Sequence, residues 1–482
     1  MEHRRRTLVD HLEAHRLRGG APLHMPGHKR NEDLAPYLKV LGAGLDITEL
    51  PGFDDLHAPR GLLAEAMARA AALYGSQAAF FLVNGSTGGL LAGIRAATRR
   101  HDRVLIARNC HKAVYHALEL GGLEPVFLQP PVLEGLGSAA SLSPALVERA
   151  LEEHPDIRLV ILTSPTYEGV LSDVEAICRL AHEKGVPVLV DEAHGAHLGL
   201  HPTFPQGAVS MGADLVVQSF HKTLPSLTPT GVIHLQGELV SPEELRRQLG
   251  IFQTSSPSYL LMASLEGCVT LLEEQGPKLF GDWNRRLEEF DQAIRPLRWI
   301  RVPGHGGEAG APIPGVFALD PSKVVLSAAG LSITGTRLME LLAEDYGLQL
   351  EMAMEGYAIA MTGMGDGKEL LPRLADALLE LEERYGLPAG AARDTAPSLP
   401  LPRRACSPTE AMEQPWVLLP RQEAAGRVSA AYLWAYPPGV PMVIPGEIID
   451  HALLEALGRM GAAGINLIAS RGQPEDHLAV LT

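Results

Sequence analysis

Between residues 60 and 240 the chain alternates short, continuous apolar runs with amphipathic stretches, and that rhythm limits the fold more than any other feature. The runs are AAFFLV (78–83), RVLIAR (103–108), EPVFLQ (124–129), RLVILTSPT (158–166), VPVLVDEAH (186–194), ADLVVQSFHK (213–222) and GVIHLQG (231–237). A strand with one wet face alternates apolar and polar residues; these do not, so both of their faces need cover. Between them lie segments such as SDVEAICRLAHEKG (172–185), which opens on a Ser/Asp cap, carries helical periodicity and closes on Gly. Strand and helix in succession predict an α/β fold with a mostly parallel, seven-stranded sheet covered on both faces.

The rest of the chain divides by a change of rhythm. Residues 1–60 form an N-terminal segment, and 61–295 the major domain, its end helix-rich through SPEELRRQL (241–249) and YLLMASLEGCVTLLEEQG (259–276). From 296 to 395, RWIRVP, KVVLSA, LQLEMAME and YAIAMTG read as strands of a smaller α+β domain, closed by the helix KELLPRLADALLELEERYG. The Pro-, Ala- and Ser-rich stretch 387–410 reads as a linker. A C-terminal α+β domain, 411–482, contains a Pro-dense turn, AYPPGVPMVIPGE (435–447), before a last helix and strand.

A formal charge of −16 over 482 residues excludes an ordinary nucleic-acid protein, which needs a basic face to neutralise phosphates. Four scattered cysteines, Cys110, Cys178, Cys268 and Cys406, have no CxxC spacing and indicate neither a zinc ribbon nor a disulfide scaffold, so the expected location is a reducing cytoplasm. No apolar run reaches the roughly 18 residues of a membrane span. The expected partner is a small molecule, with neither nucleic acid nor membrane.

Chemistry should gather where the parallel strands end, since ligands of such sheets lie beyond the carboxyl ends. After AAFFLV comes Asn84-Gly85-Ser86-Thr87-Gly88-Gly89 at the start of a helix; free amides, small residues and two hydroxyls suit a phosphate, although Ser/Thr at that place is also an ordinary cap. After VPVLV comes Asp191-Glu192-Ala193-His194. DEAH suggests a helicase, but no G-x-x-x-x-G-K-[ST] accompanies it. Asp191, His194 and His197 could instead hold a metal in a hydrolase. The next strand ends in Ser219, His221 and Lys222. An Asp and a Lys on neighbouring strand ends beside a phosphate cradle meet the needs of pyridoxal phosphate: the amine holds the aldehyde as a Schiff base, and the carboxylate keeps the ring nitrogen protonated. Ala193 is small enough to lie against a ring. The other His-Lys pairs, His28-Lys29 and His111-Lys112, stand in a turn and ahead of a helix, where a solvated or structural lysine is the plainer reading.

Eight segments then share one resemblance: MPGHK, DITELPGFDDLHAPRG, LVNGSTGG, RNCHKAVYHAL, TSPTYEGV, VLVDEAHGAHLG, SFHKTLPSLT and GRVSAAYLWAYPPGVPMVIPGE. In this order they resemble the Orn/Lys/Arg decarboxylase family, pyridoxal-phosphate enzymes of the aspartate-aminotransferase fold (fold type I). The resemblance implies Lys222 as the Schiff-base lysine and Asp191 as the partner of the ring nitrogen. It implies His111 stacked on one ring face, Ala193 on the other, and Ser86, Thr87, Ser219 and His221 around the phosphate, with His194 in the cofactor site. The larger bacterial members carry a wing domain before PGHK; here little chain precedes it, so the expectation is a homodimer or dimer-based oligomer, with ELPGFDDLHAP contributing to the partner's site. The implied reaction is decarboxylation of a basic L-amino acid in polyamine-type metabolism, with arginine ahead of lysine and ornithine. Asp55, Glu351 and Glu447 are candidate partners of the distal substrate charge. An aminotransferase, with Arg421 or Arg427 clamping the substrate carboxylate, is the chemical alternative; a non-catalytic binding module would be expected to have lost Lys222 or Asp191, and both are present.

Overall fold

The computed structural model describes residues 6–34, 36–133, 136–388, 402–436 and 439–482. All seven apolar runs are strands: β1 (Ala78–Leu82), β2 (Arg103–Ala107), β3 (Glu124–Leu128), β4 (Ile157–Thr163), β6 (Val188–Asp191), β7 (Leu215–Gln218) and β8 (Gly231–Leu235), with a two-residue β5 (Val170–Leu171) between β4 and β6. They form one sheet in the order β1-β8-β7-β6-β4-β2-β3. β2 lies parallel to β3 and β4, and β6 parallel to β7, whereas β8 runs against both β1 and β7. Every residue of β6, β7 and β8 is buried, which is why these strands carry no polar alternation.

The chain forms two compact units, residues 1–98 with 181–281 and residues 99–180 with 282–482. In the first, the helix Gly85–Ala97 lies so close to the sheet that a Cβ on Gly89 would sit 2.5 Å from Leu82 Cδ1 and 2.9 Å from Val217 Cγ1. Asp54, in a left-handed conformation, accepts the amides of Arg60, Gly61 and Leu63 and so anchors the start of the helix Leu62–Tyr74. Near the N-terminus the MPGHK segment is tied down by His28, whose Nε2 lies 3.3 Å from Asp46. The stretches 241–249 and 259–276 are helical, but the second continues through Pro277 as one helix, Tyr259–Ala293.

In the second unit, β9 (Ala318–Leu319) pairs with β5, and β10 (Lys323–Ser327), β11 (Met352–Ala353) and β12 (Tyr357–Met361) form an antiparallel sheet backed by the helix Gly335–Tyr346, on which the helix Leu370–Tyr385 packs in turn. Two expectations need correction here. RWIRVP is no strand, holding only an isolated bridge between Arg301 and Ser327, and LQLEMAME contributes only Met352–Ala353. The cause in the first case is Glu382: its buried carboxylate takes the amides of Arg298, Trp299 and Ile300, at 2.6–2.9 Å, that a strand would have offered to a neighbour. Of the expected linker, residues 389–401 lie outside the described residues. The C-terminal part holds β13 (Trp416–Pro420), β14 (Leu433–Ala435), β15 (Pro441–Val443), β16 (Leu467–Ala469), β17 (Gly472–Gln473) and β18 (His477–Leu481) in two small sheets, order β13-β18-β17 and β15-β14-β16. Leu433, Val443, Leu453, Leu457, Leu467, Leu478 and Val480 form its core with the helix His451–Ala462.

Gly231 opens β8 where a Cβ would stand 2.5 Å from the Gln218 carbonyl oxygen, a backbone atom fixed by the β7–β8 ladder. Gly231→Ala should therefore lower unfolding stability by roughly 1–3 kcal/mol, as read by urea titration.

Candidate active site

β6 delivers Asp191 at its last position. The carboxylate is buried, 2% exposed, and accepts the Ala193 amide at 3.2 Å. Burial pushes its pKa up from the ordinary carboxylate value, while the Lys222 charge and that amide pull the other way. β7 ends at Gln218; Ser219 then precedes a single helical turn, Phe220–Thr223, that carries His221 and Lys222. The Ser219 hydroxyl does not cap its own turn but donates to Ser86 Oγ at 3.0 Å. Lys222 Nζ lies 2.8 Å from His194 Nε2. His221 Nδ1 lies 2.7 Å from the Thr230 carbonyl, so it carries the proton and leaves Nε2 as the acceptor of a neutral ring. Burial lowers the His221 pKa against the pull of that carbonyl, and Lys222 adds to the lowering.

The helix Gly85–Ala97 begins without a side-chain cap: Asn84 makes no capping hydrogen bond. Ser86 is held by Ser219, and Thr87 is exposed on the first turn. An uncapped helix start with two hydroxyls on it and a third pinned beside it is the donor set a phosphate monoester requires. Asp191, Ala193, His194, Ser219, His221 and Lys222 belong to the same unit. The residues present therefore fit pyridoxal phosphate: an anion cradle, a lysine amine and a buried carboxylate near enough to feel its charge. Among the described residues no group of three or more His, Cys, Asp or Glu side chains could hold a metal ion, Asp191, His194 and His197 included.

In the second unit His111 follows β2 and caps the helix Lys112–Gly121, its Nδ1 accepting the Ala113 amide at 3.2 Å. Lys112 has a structural place: Nζ lies 5.1 Å from the ring centre of Trp434 and 5.3 Å from that of Tyr436.

Each of the three acids expected to meet a distal substrate charge has a hydrogen-bond partner within its own unit. Asp55 accepts the His57 amide at 2.8 Å and finishes a turn. Glu351 is exposed and accepts the Tyr167 hydroxyl. Glu447 must be corrected as a free acid: it is 1% exposed, pairs with Arg108 at 3.2 Å and accepts the Ile444 amide at 2.8 Å, so its charge is already spent inside the protein. Of the two arginines considered as carboxylate clamps, Arg427 donates to the Leu481 carbonyl at 3.0 Å.

One buried chain escaped the sequence reading. Gln218 Nε2 donates to Glu192 at 2.7 Å, which turns Gln218 Oε1 toward His234 Nε2 at 3.1 Å; that nitrogen must donate, and Nδ1 then accepts from Ser76 at 2.9 Å. The second Glu192 oxygen accepts the Ala208 amide at 2.7 Å. Glu192, Gln218 and His234 are each no more than 1% exposed, and they lash the strand end bearing Asp191 to the one preceding Lys222. The only sequence signal was three polar residues inside apolar runs, which does not say that they meet.

A search of family models matches residues 6–302 to "Orn/Lys/Arg decarboxylase, major domain" and residues 396–461 to "Orn/Lys/Arg decarboxylase, C-terminal domain". Arginine decarboxylase of Bacillus subtilis (strain 168) is 32% identical over 462 residues, covering 94% of this chain and 93% of that protein. The chain belongs to the Orn/Lys/Arg decarboxylase family. As a member it is a carboxy-lyase, and its fold is that of fold type I. The constitutive lysine decarboxylase of E. coli superposes with a TM-score of 0.80 at 20% identity, over 98% of this chain and 82% of that one. The pyridoxamine-pyruvate aminotransferase of Mesorhizobium loti reaches 0.54 at 16% identity, over 73% of this chain and 89% of that one, a likeness of fold alone.

Burial lowers the His234 pKa to about 3 from its ordinary 6.5. The unfolded chain takes up that proton near 6.5 and the folded chain only near 3, so stability present above 6.5 is lost as the pH falls, at about 1.4 kcal/mol per pH unit for this group. His234→Gln should be less stable at neutral pH and lose less between pH 7 and pH 5 in paired urea titrations.

Proposed function

We propose that the chain decarboxylates a basic L-amino acid with pyridoxal phosphate, arginine ahead of lysine and ornithine, releasing the amine and carbon dioxide. The observation that carries this reading is the buried Asp191 within electrostatic reach of Lys222, with the Ser86–Ser219 cradle in the same unit. Lys222 would hold the cofactor covalently, and Ser86, Thr87, Ser219 and His221 its phosphate. Asp191 would keep the ring nitrogen protonated, a task for which a desolvated carboxylate is suited because its charge is little screened. Ala193 and His111 would lie on the two ring faces. When bound, the cofactor supplies the electron sink that accepts the pair left on Cα as carbon dioxide departs.

The rest falls to the side chains. Lys222 Nζ and His194 Nε2 stand within hydrogen-bond distance, so His194 can steer the ε-amine and exchange a proton with it whenever that amine is free. His111, with Nδ1 committed to the Ala113 amide, has Nε2 as its protonated nitrogen when neutral, and that is the proton it can offer at Cα. Of the three candidate acids, exposed Glu351 is the one we assign to a substrate cation, since Glu447 is already paired. The arginine preference is supported by the relationship to arginine decarboxylase of Bacillus subtilis. A homodimer in the cytoplasm completes the proposal. The dimer is supported by the large apolar side chains that the N-terminal segment leaves exposed, Leu17, Leu23, Tyr37, Val40 and Leu41, each at least 66% exposed, which a second copy would cover. No helix among the described residues is long and apolar enough to cross a membrane.

Carbon dioxide release from arginine, lysine and ornithine, measured beside keto-acid formation, tests the assignment; keto acid without carbon dioxide would make the chain an aminotransferase. Lys222→Ala should abolish both turnover and the borohydride-sensitive visible band of bound cofactor, whereas Lys112→Ala should keep that band.

A further inference from the structure

We propose that a buried ion pair, Arg108 with Glu447, and the backbone of Gly439 form a clamp that fixes the ring orientation and tautomer of His111. Every member lies in the second unit. Arg108 follows β2, three residues before His111, and its guanidinium donates to four acceptors: the Tyr115 hydroxyl at 2.9 Å, the carbonyls of Pro441 at 2.6 Å and Met442 at 3.3 Å, and Glu447 at 3.2 Å. The Tyr115 hydroxyl donates back to the Arg108 carbonyl at 2.6 Å, closing the loop that contains His111. One arginine thus joins the ends of that loop and ties it to residues 441–447.

The same stretch of C-terminal chain meets the imidazole itself. The Gly439 carbonyl accepts the Lys112 amide at 3.1 Å, and a Cβ on Gly439 would stand 3.4 Å from both Cδ2 and Nε2 of His111. Gly439 has φ +83°, a conformation other residues rarely adopt. On the far edge of the ring Nδ1 accepts the Ala113 amide, which places the proton of a neutral ring on Nε2. The imidazole is held at Nδ1 and leaves little room for a side chain on Gly439 beside Cδ2 and Nε2, and Arg108 and Glu447 tie down the chain next to that glycine. This assigns Glu447 a positioning role, not contact with substrate. It rests on the proposed role of His111 beside the cofactor only insofar as the clamp serves the reaction.

Breaking the pair singly would strand a buried charge and can unfold the chain. Two other variants avoid that: Gly439→Ala keeps the pair and disturbs the seat, and Arg108→Met with Glu447→Met removes both charges. Holoenzyme labelled with 15N-histidine reports the tautomer, with His111→Gln identifying the resonances. The wild type should show Nε2 protonated; both variants should show mixed tautomers and a kcat lower by roughly ten-fold or more, with KM little changed. Retention of the single Nε2–H tautomer in both folded variants would overturn the clamp. Mixed tautomers with wild-type kcat would uphold the clamp and overturn the part proposed for His111 in the reaction.

Discussion

The parallel pairing of β6 with β7, Asp191 opposite Val217, is the constraint on which the rest of the site depends. It sets an acid at the end of one strand and, one turn beyond the end of the next, a lysine. The ladder alone fixes the backbone. What removes the remaining play is the chain of donors and acceptors that ends on Glu192, together with the Glu192 amide, which donates to the Val217 carbonyl at 2.9 Å. A residue beside the chemistry is thereby recruited to hold the scaffold, so that Asp191 needs no direct bond to Lys222.

Charge is managed inside this molecule by pairing. Arg69 with Glu266, Lys323 with Asp320 and Arg108 with Glu447 are all nearly inaccessible to water. Such pairs add little net stability, because desolvation consumes most of the Coulomb gain. Their value is geometric, since each joins segments far apart in sequence or closes a turn. Lys323 shows the second use: its ammonium bonds to Asp320 and Ser322 at 2.8 Å, folding the turn before β10 around one buried charge. Arg108 shows the first, reaching Glu447 across 339 positions of sequence.

Segments whose meaning is local were legible in the sequence. Seven apolar runs became seven strands, and the residues after them fell at strand ends as their order required. Segments whose partner is remote were not. RWIRVP has strand-like composition, yet a single carboxylate on a helix 82–84 residues later took its amides. Glu447 stood in a Pro-rich turn as a candidate partner of a substrate charge, and only the fold showed the arginine buried against it. Lys112 read as either solvated or structural, and the sequence could not choose because the aromatic rings that flank it lie more than 300 residues downstream.

Periodicity and motif alone carried the α/β class, the seven strands of the main sheet, the lysine and aspartate at strand ends, and the motifs of the family to which the chain belongs. These follow from periodicity and from short spacings, which act over a few residues. Which polar groups meet became visible with the fold: His194 against Lys222, Gln218 between Glu192 and His234, and Arg108 against Glu447. Such contacts depend on where distant backbones come to rest, and a buried hydrogen bond acts over about 3 Å whatever the separation along the chain.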